Sequence, residues 1–153
     1  MNRTLASLVA VAAFAVVLTG CANGPKYTEV SSSIPTLQTD QGRVYFFRSS
    51  SMFGAAIQPD IRLNDQVVGT SQPGGFFFVD RPAGQYSAAT STETDKTVSF
   101  VLDAGEIKYV RTSPSLGLLA GRIVPSLETP EAAVKELPEL SYTGKALPAK
   151  QAK

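Results

Sequence analysis

The sequence predicts an all-β fold, a single small antiparallel β-sandwich with a short C-terminal helix, preceded by a signal peptide and a flexible tether. Three observations predict it. From residue 42 onward, short runs rich in aromatic and β-branched residues recur between Gly, Pro, Asn and Asp clusters. Several of those runs alternate apolar with polar residues, a period of two rather than 3.6. Neither an internal repeat of solenoid length nor a regular alternation of strand with helix is visible, and the chain has the size of one ordinary domain.

The first element is not part of that fold. Met1-Asn2-Arg3-Thr4 is a polar start with one positive charge, and an apolar stretch runs from Leu5 to Leu18. This is the layout of a secretory signal peptide over residues 1–20, shorter than the roughly 20 apolar residues a membrane-crossing helix needs. It ends in Leu18-Thr19-Gly20-Cys21, and Cys21 is the one cysteine of the protein. The tetrad resembles the lipobox of bacterial lipoproteins. That resemblance implies a diacylglyceryl group on the Cys21 thiol, cleavage before Cys21 and acylation of the new amino terminus. One acyl chain binds a membrane marginally and reversibly, whereas two or three on one residue hold it durably. Ala22 rather than Asp follows the cysteine. By analogy with enteric lipoproteins this points to the outer membrane, facing the periplasm, rather than the inner membrane.

Residues 21–41 read as a lipidated flexible tether, being rich in Gly, Pro, Ser, Thr and Asn without apolar periodicity. An ordered first strand around Tyr27 to Val30 is the alternative. The domain is expected over residues 42–137. Gly42 to Arg48 has apolar residues on both faces and reads as a central strand. Asp60 to Asn64 alternates, with Ile61 and Leu63 on one side, and Asn64-Asp65-Gln66 turns it into Val67 to Thr70 as a hairpin. Gly74-Gly75 precedes Phe76 to Asp80, and Pro82-Ala83-Gly84 turns toward Gln85 to Thr90. Lys96 to Asp103 puts Val98, Phe100 and Leu102 on one face, and Ala104-Gly105 leads into Glu106 to Thr112. Ser113 to Ser126 is interrupted by Gly117, Gly121 and Pro125, so a loop and a last short strand at about Arg122 to Leu127 are expected. Thr129-Pro130-Glu131 has the form of a helix start, with the end expected near Leu137, before Pro138. Residues 138–153 read as a flexible tail.

Composition excludes several function classes. Of 14 basic side chains only Arg3 lies in residues 1–20, so the remainder balances the 13 acidic ones and gives no electrostatic footprint for nucleic acid. Histidine and tryptophan are absent, which removes the commonest general base and metal ligand. With no second cysteine, stability rests on packing. No cofactor or metal is implied.

Reactive constellations are sparse. Serine nucleophiles would need Lys96 or Lys108 as base, and no nucleophile-elbow sequence accompanies them. Asp60 with Asp65, and Glu93 with Asp95, could form acid/base pairs or a calcium loop, but turn solvation explains them as well. A non-enzymatic role is expected. The candidate binding loop is Ser49 to Ala56, where Met52 and Phe53 either mark a partner or membrane contact or fold back to cap the core. Arg48 beside it either positions an acidic ligand or ends a strand. In Phe76-Phe77-Phe78, alternation assigns Phe76 and Phe78 to the core and leaves Phe77 as the candidate to stack on a sugar ring, unless both faces of the strand are covered.

Val44-Tyr45-Phe46-Phe47-Arg48, Arg62 to Gly69, Phe76-Phe77-Phe78, Pro82-Ala83-Gly84-Gln85-Tyr86 and Asp103 to Val110, in this order, resemble the bacterial domain of unknown function DUF2846. Their hairpin rhythm also resembles PEGA-type surface modules. The likeness covers about Gly42 to Leu137 and implies a small periplasm-facing lipoprotein with a β-sandwich and no activity to transfer. The expected role is therefore a lipid-anchored module that binds another envelope component, a protein, with glycan or peptidoglycan as the alternative ligand and a hydrolase third.

Overall fold

In a computed structural model the described residues are 20–119 and 121–148. Residues 1–19, with Leu18 and Thr19 of the expected lipobox, lie outside them, as do Ala120 and the last five residues. No helix among the described residues is long and apolar enough to cross a membrane.

Among the described residues nine strands form two sheets. In chain order they are β1 Gln41–Phe47, β2 Asp60–Leu63, β3 Gln66–Thr70, β4 Gly75–Pro82, β5 Gly84–Ser91, β6 Asp95–Leu102, β7 Ile107–Leu116, β8 Gly121–Glu128 and β9 Ser141–Tyr142. Two short helices, α1 Tyr27–Val30 and α2 Pro130–Glu136, flank them. The five-stranded sheet has the order β8-β7-β1-β4-β9 and the four-stranded sheet β3-β2-β5-β6. The sandwich is mostly antiparallel, as expected, with two exceptions. β1 pairs in parallel with β7, Tyr45 opposite Tyr109, and β4 in parallel with β9. The parallel pairs arise because β1 and β7 both run toward the same end and are joined by long excursions, through the other sheet in the case of β1.

The space between the sheets holds Val44, Phe46, Ile61, Leu63, Phe77, Ala88, Phe100, Leu102 and Val110. Side chains alternate across a strand, so Tyr45, Phe47, Phe76 and Tyr109 emerge on the opposite face of the larger sheet. There they meet Ala133, Leu137 and Leu140, with Tyr27, Val30 and Ile34 packed alongside. The molecule thus has three layers. The helical layer explains why β1 is buried on both faces.

That third layer corrects both expected flexible segments. Residues 21–41 are docked: the Tyr27 ring meets Phe76 edge-on at 5.4 Å, and the Tyr27 N–H donates to the Leu140 carbonyl at 3.0 Å. Tyr27–Val30 is a helical turn rather than a strand. The domain also runs past residue 137. Leu140 is buried and Ser141–Tyr142 adds a strand beside β4. In each stretch a few isolated apolar residues suffice, because the sheet already supplies a preformed apolar face.

Turns follow their chemistry. Asn64 and Asp65 have φ of 46° and 64°, the left-handed pair that a two-residue hairpin favours. The Asn64 side chain accepts from the Ser87 N–H at 2.8 Å, tying the hairpin to β5. The Thr129 hydroxyl caps α2 by accepting from the Ala132 N–H, and the helix ends at Glu136, one residue before the expected position. The expected loop over residues 113–121 shrinks to the tip of a long hairpin, since β7 and β8 pair from Tyr109↔Glu128 out to Leu116↔Gly121.

Strand directions sort the connections onto two ends. At one end lie the β1–β2 loop (48–59), the β3–β4 loop (71–74), the β5–β6 turn (92–94) and the β7–β8 tip (117–119). At the other lie the 64–65 turn, Ala83, residues 103–106 and Thr129.

Candidate interaction site

Arg48 closes β1 and points inward. It is 1% exposed, and its guanidinium donates to three carbonyls: Nη1 to Ile57 at 2.7 Å and Ser71 at 3.1 Å, Nη2 to Gly54 at 2.7 Å. Nε is buried without a hydrogen bond, and among the described residues no carboxylate forms an ion pair with this side chain. Burial pushes its pKa below the usual arginine range. Of the two expectations for Arg48, the structure shows a residue that ends a strand, and its inward guanidinium clamps the β1–β2 loop against the β3–β4 loop.

Clamped at its base, that loop presents Met52 and Phe53 outward rather than folding them over the core. Met52 is 87% and Phe53 53% exposed. The β7–β8 tip beside them adds Leu116, Leu118 and Leu119, exposed by 79%, 89% and 96%. A groove of about 370 Å³ runs between the two loops, lined by Phe53, Ile57, Pro114, Leu116, Leu118 and Leu119 among others. The two loops come close at Gly121, where a Cβ would stand 2.4 Å from the Ile57 side chain. Sequence reading noted these leucines only as interrupted apolar positions. The available signal was the absence of any charged residue from Ser113 to Gly121.

Cys21 adjoins this end and is exposed. The Ala22 N–H donates to the Pro73 carbonyl at 2.9 Å, and Gln58 Nε2 donates to the Gly20 carbonyl at 3.1 Å. Structure therefore unites Cys21, Arg48, Met52 and Phe53 at one end.

Phe77 is not with them. It is 3% exposed and stacks on Phe46 with ring centroids 5.1 Å apart, between the sheets. The half-buried ring of the run is Phe78, over which the Arg43 guanidinium lies at 4.4 Å. The sugar-stacking reading of Phe77 is therefore wrong: the strand alternates as expected, but both faces of its sheet are covered, and Phe77 takes the inter-sheet side.

Several of the titratable groups singled out earlier have structural partners. Asp60 and Asp65 sit at opposite ends of the β2–β3 hairpin. Lys108 pairs with Glu106 at 2.6 Å, and Asp95 with Arg62 at 3.3 Å. Glu93 pairs with Arg122 at 2.9 Å and accepts from the Leu118 and Leu119 N–H groups, fixing the hairpin tip. Two arginines that sequence reading passed over brace the third layer. Arg43 holds Asp80 through two hydrogen bonds, at 2.7 and 2.8 Å. Arg111 reaches Glu128 at 2.8 Å and Glu136 at 2.6 Å while lying 4.6 Å over the Phe47 ring.

A second groove, of about 330 Å³, opens at the edge between β3 and β4. Val67, Val68, Phe78 and Leu147 give it apolar walls, and Asp80, Arg81 and Lys145 charge its rim.

An uncharacterized protein of Haemophilus influenzae (strain ATCC 51907 / DSM 11121 / KW20 / Rd) is 23% identical over 121 residues, covering 76% of this chain and 70% of its own. No solved structure matches. The family described as "Protein of unknown function (DUF2846)" matches residues 38–121, from the approach to β1 to the start of β8, and the chain belongs to that family.

Proposed function

We propose that the protein is a lipid-anchored lipoprotein of the bacterial cell envelope, facing the periplasm, whose β-sandwich serves as a non-enzymatic interaction module for another envelope component, a protein. The observation that carries this reading is the junction at Cys21. An apolar run ends in Leu18-Thr19-Gly20-Cys21, and the same cysteine is exposed where the chain meets the folded domain. Anchoring raises the local concentration of the domain at the membrane, so a modest interface suffices for binding. The groove between β3 and β4, apolar within and charged at its rim, supports a surface for such a partner.

The test is the mass of the membrane-extracted protein together with in-cell crosslinking. The expected mature chain begins at Cys21 and carries acyl mass, and Cys21→Ala yields an unprocessed, unlipidated precursor. A normal mature mass from that variant refutes the anchor. A single dominant crosslinked protein is the expected partner result, whereas muropeptides in its place transfer the reading to glycan binding.

A further inference from the structure

The end of the sandwich that carries Cys21 differs in chemistry from the other end. No charged residue occurs in the β1–β2 loop from Ser49 to Pro59, in the β3–β4 loop from Ser71 to Gly74, or from Ser113 to Gly121. Arg48, at the base of the first loop, is turned inward and buried. Glu93, in the β5–β6 turn, is neutralised by Arg122 and by two backbone N–H groups of the hairpin tip. The opposite end has Asp65, Asp103 and Glu106 within its turns, whereas here the carboxylates Asp60 and Asp95 stand only at the strand ends behind the loops. Five large apolar side chains, Met52, Phe53, Leu116, Leu118 and Leu119, project from the uncharged end. Soluble surfaces rarely gather so many protruding apolar groups without an occupant.

The attachment geometry identifies that occupant. Ala22 is hydrogen-bonded to Pro73, in the β3–β4 loop of this same end. One residue spans at most about 3.6 Å, so a lipid on Cys21 starts against the domain surface with no slack. We propose that the uncharged end is a bilayer-contact face, with Met52, Phe53 and the leucines of the β7–β8 tip entering the interface of the leaflet that holds the Cys21 lipid. This rests on the lipoprotein reading and replaces a freely standing domain with one seated on the membrane. Apolar loop residues partition into the headgroup boundary, and a charged loop tip there would be penalised, which accounts for both the presence of the leucines and the lack of charge. The groove between β3 and β4 and the acidic end are left facing the periplasm.

Depth measurement by spin labelling tests this on the full lipidated protein in vesicles of phosphatidylethanolamine and phosphatidylglycerol. Lipidation consumes the Cys21 thiol, so a single introduced cysteine takes the nitroxide. Labels at F53C and L118C are expected to be relaxed by membrane-dissolved oxygen and shielded from a water-soluble nickel chelate. Labels at D65C and A104C, at the other end, are expected to show the reverse. The proposal is overturned if F53C and L118C are as open to nickel as D65C. It is equally overturned if they are shielded from both reagents, as in contact with a protein partner or a second copy. Failure of the lipoprotein reading shows separately, before vesicles are added, as an intact mass without acyl groups and as labelling of Cys21 itself.

Discussion

Replacing Arg48 with Met tests whether a buried cation without a carboxylate partner is a structural clamp. The guanidinium makes three charge-assisted hydrogen bonds, to Gly54, Ile57 and Ser71, each contributing about 1.5–3 kcal/mol. Against them stands the desolvation of the charge, an effective cost of several kcal/mol. Methionine removes the charge and its cost together, but leaves three carbonyls facing an apolar chain. Unpaired buried carbonyls cost about 1–3 kcal/mol each, but that of Gly54 keeps the Ile57 N–H, and that of Ile57 can turn toward water because its loop is half-exposed. The net loss expected for R48M is therefore about 2–4 kcal/mol. In urea unfolding of the chain expressed from Ala22, that is a fall in midpoint of about 1–2 M at unchanged slope. Hydrogen exchange should localise the effect, with faster exchange at the Ile57 N–H, which donates to Gly54 within the clamped loop. Lysine should rescue little, since one ammonium cannot reproduce the planar fork. A variant within 0.5 kcal/mol of the parent, with Ile57 protection intact, refutes the clamp.

Two further substitutions probe the core and the third layer. Phe77→Ala empties space between Phe46 and Gly69, and a loss of about 3–5 kcal/mol in urea unfolding is expected; a loss below 1 kcal/mol would mean that the ring is not a core element. The Glu128 carboxyl is held below the usual carboxylate range by its hydrogen bond from Arg111 and by the Thr129 N–H. A carboxylate depressed in the folded state stabilises above its unfolded pKa and loses that contribution as pH falls through the folded value, here below pH 4.5. An NMR titration should place the Glu128 midpoint under 4.5, and Arg111→Leu should raise it; identical midpoints in the two proteins would refute the linkage.

Features encoded within a few residues were legible in the sequence. The Asn64-Asp65 turn, the Thr129-Pro130 helix start and the two-faced apolar pattern of β1 each follow from local chemistry. The third layer was not legible, because Tyr27, Val30, Leu137 and Leu140 have no period of their own and gain a partner only when β1 and β7 lie side by side. Pro125 misled for a related reason. A proline breaks a strand that must donate on both sides, but β8 is an edge strand. The candidate site was half legible: the Met52-Phe53 loop stands out within its own segment, whereas its union with Cys21 and the leucine tip depends on which strand ends fall together.

The closure of the helical layer by β9 also bears on how the protein folds. Lys26 bridges to Ser141, and the Ser141 N–H donates to Gly74, so segments near the two ends of the described residues complete each other beside β4. A chain delivered N-terminus first, from a ribosome or through a pore, holds Tyr27 and Val30 without their cover until residue 142 arrives. Its contacts of greatest sequence separation can close only then, which makes the stretch from Leu137 to Tyr142 the latch of the third layer.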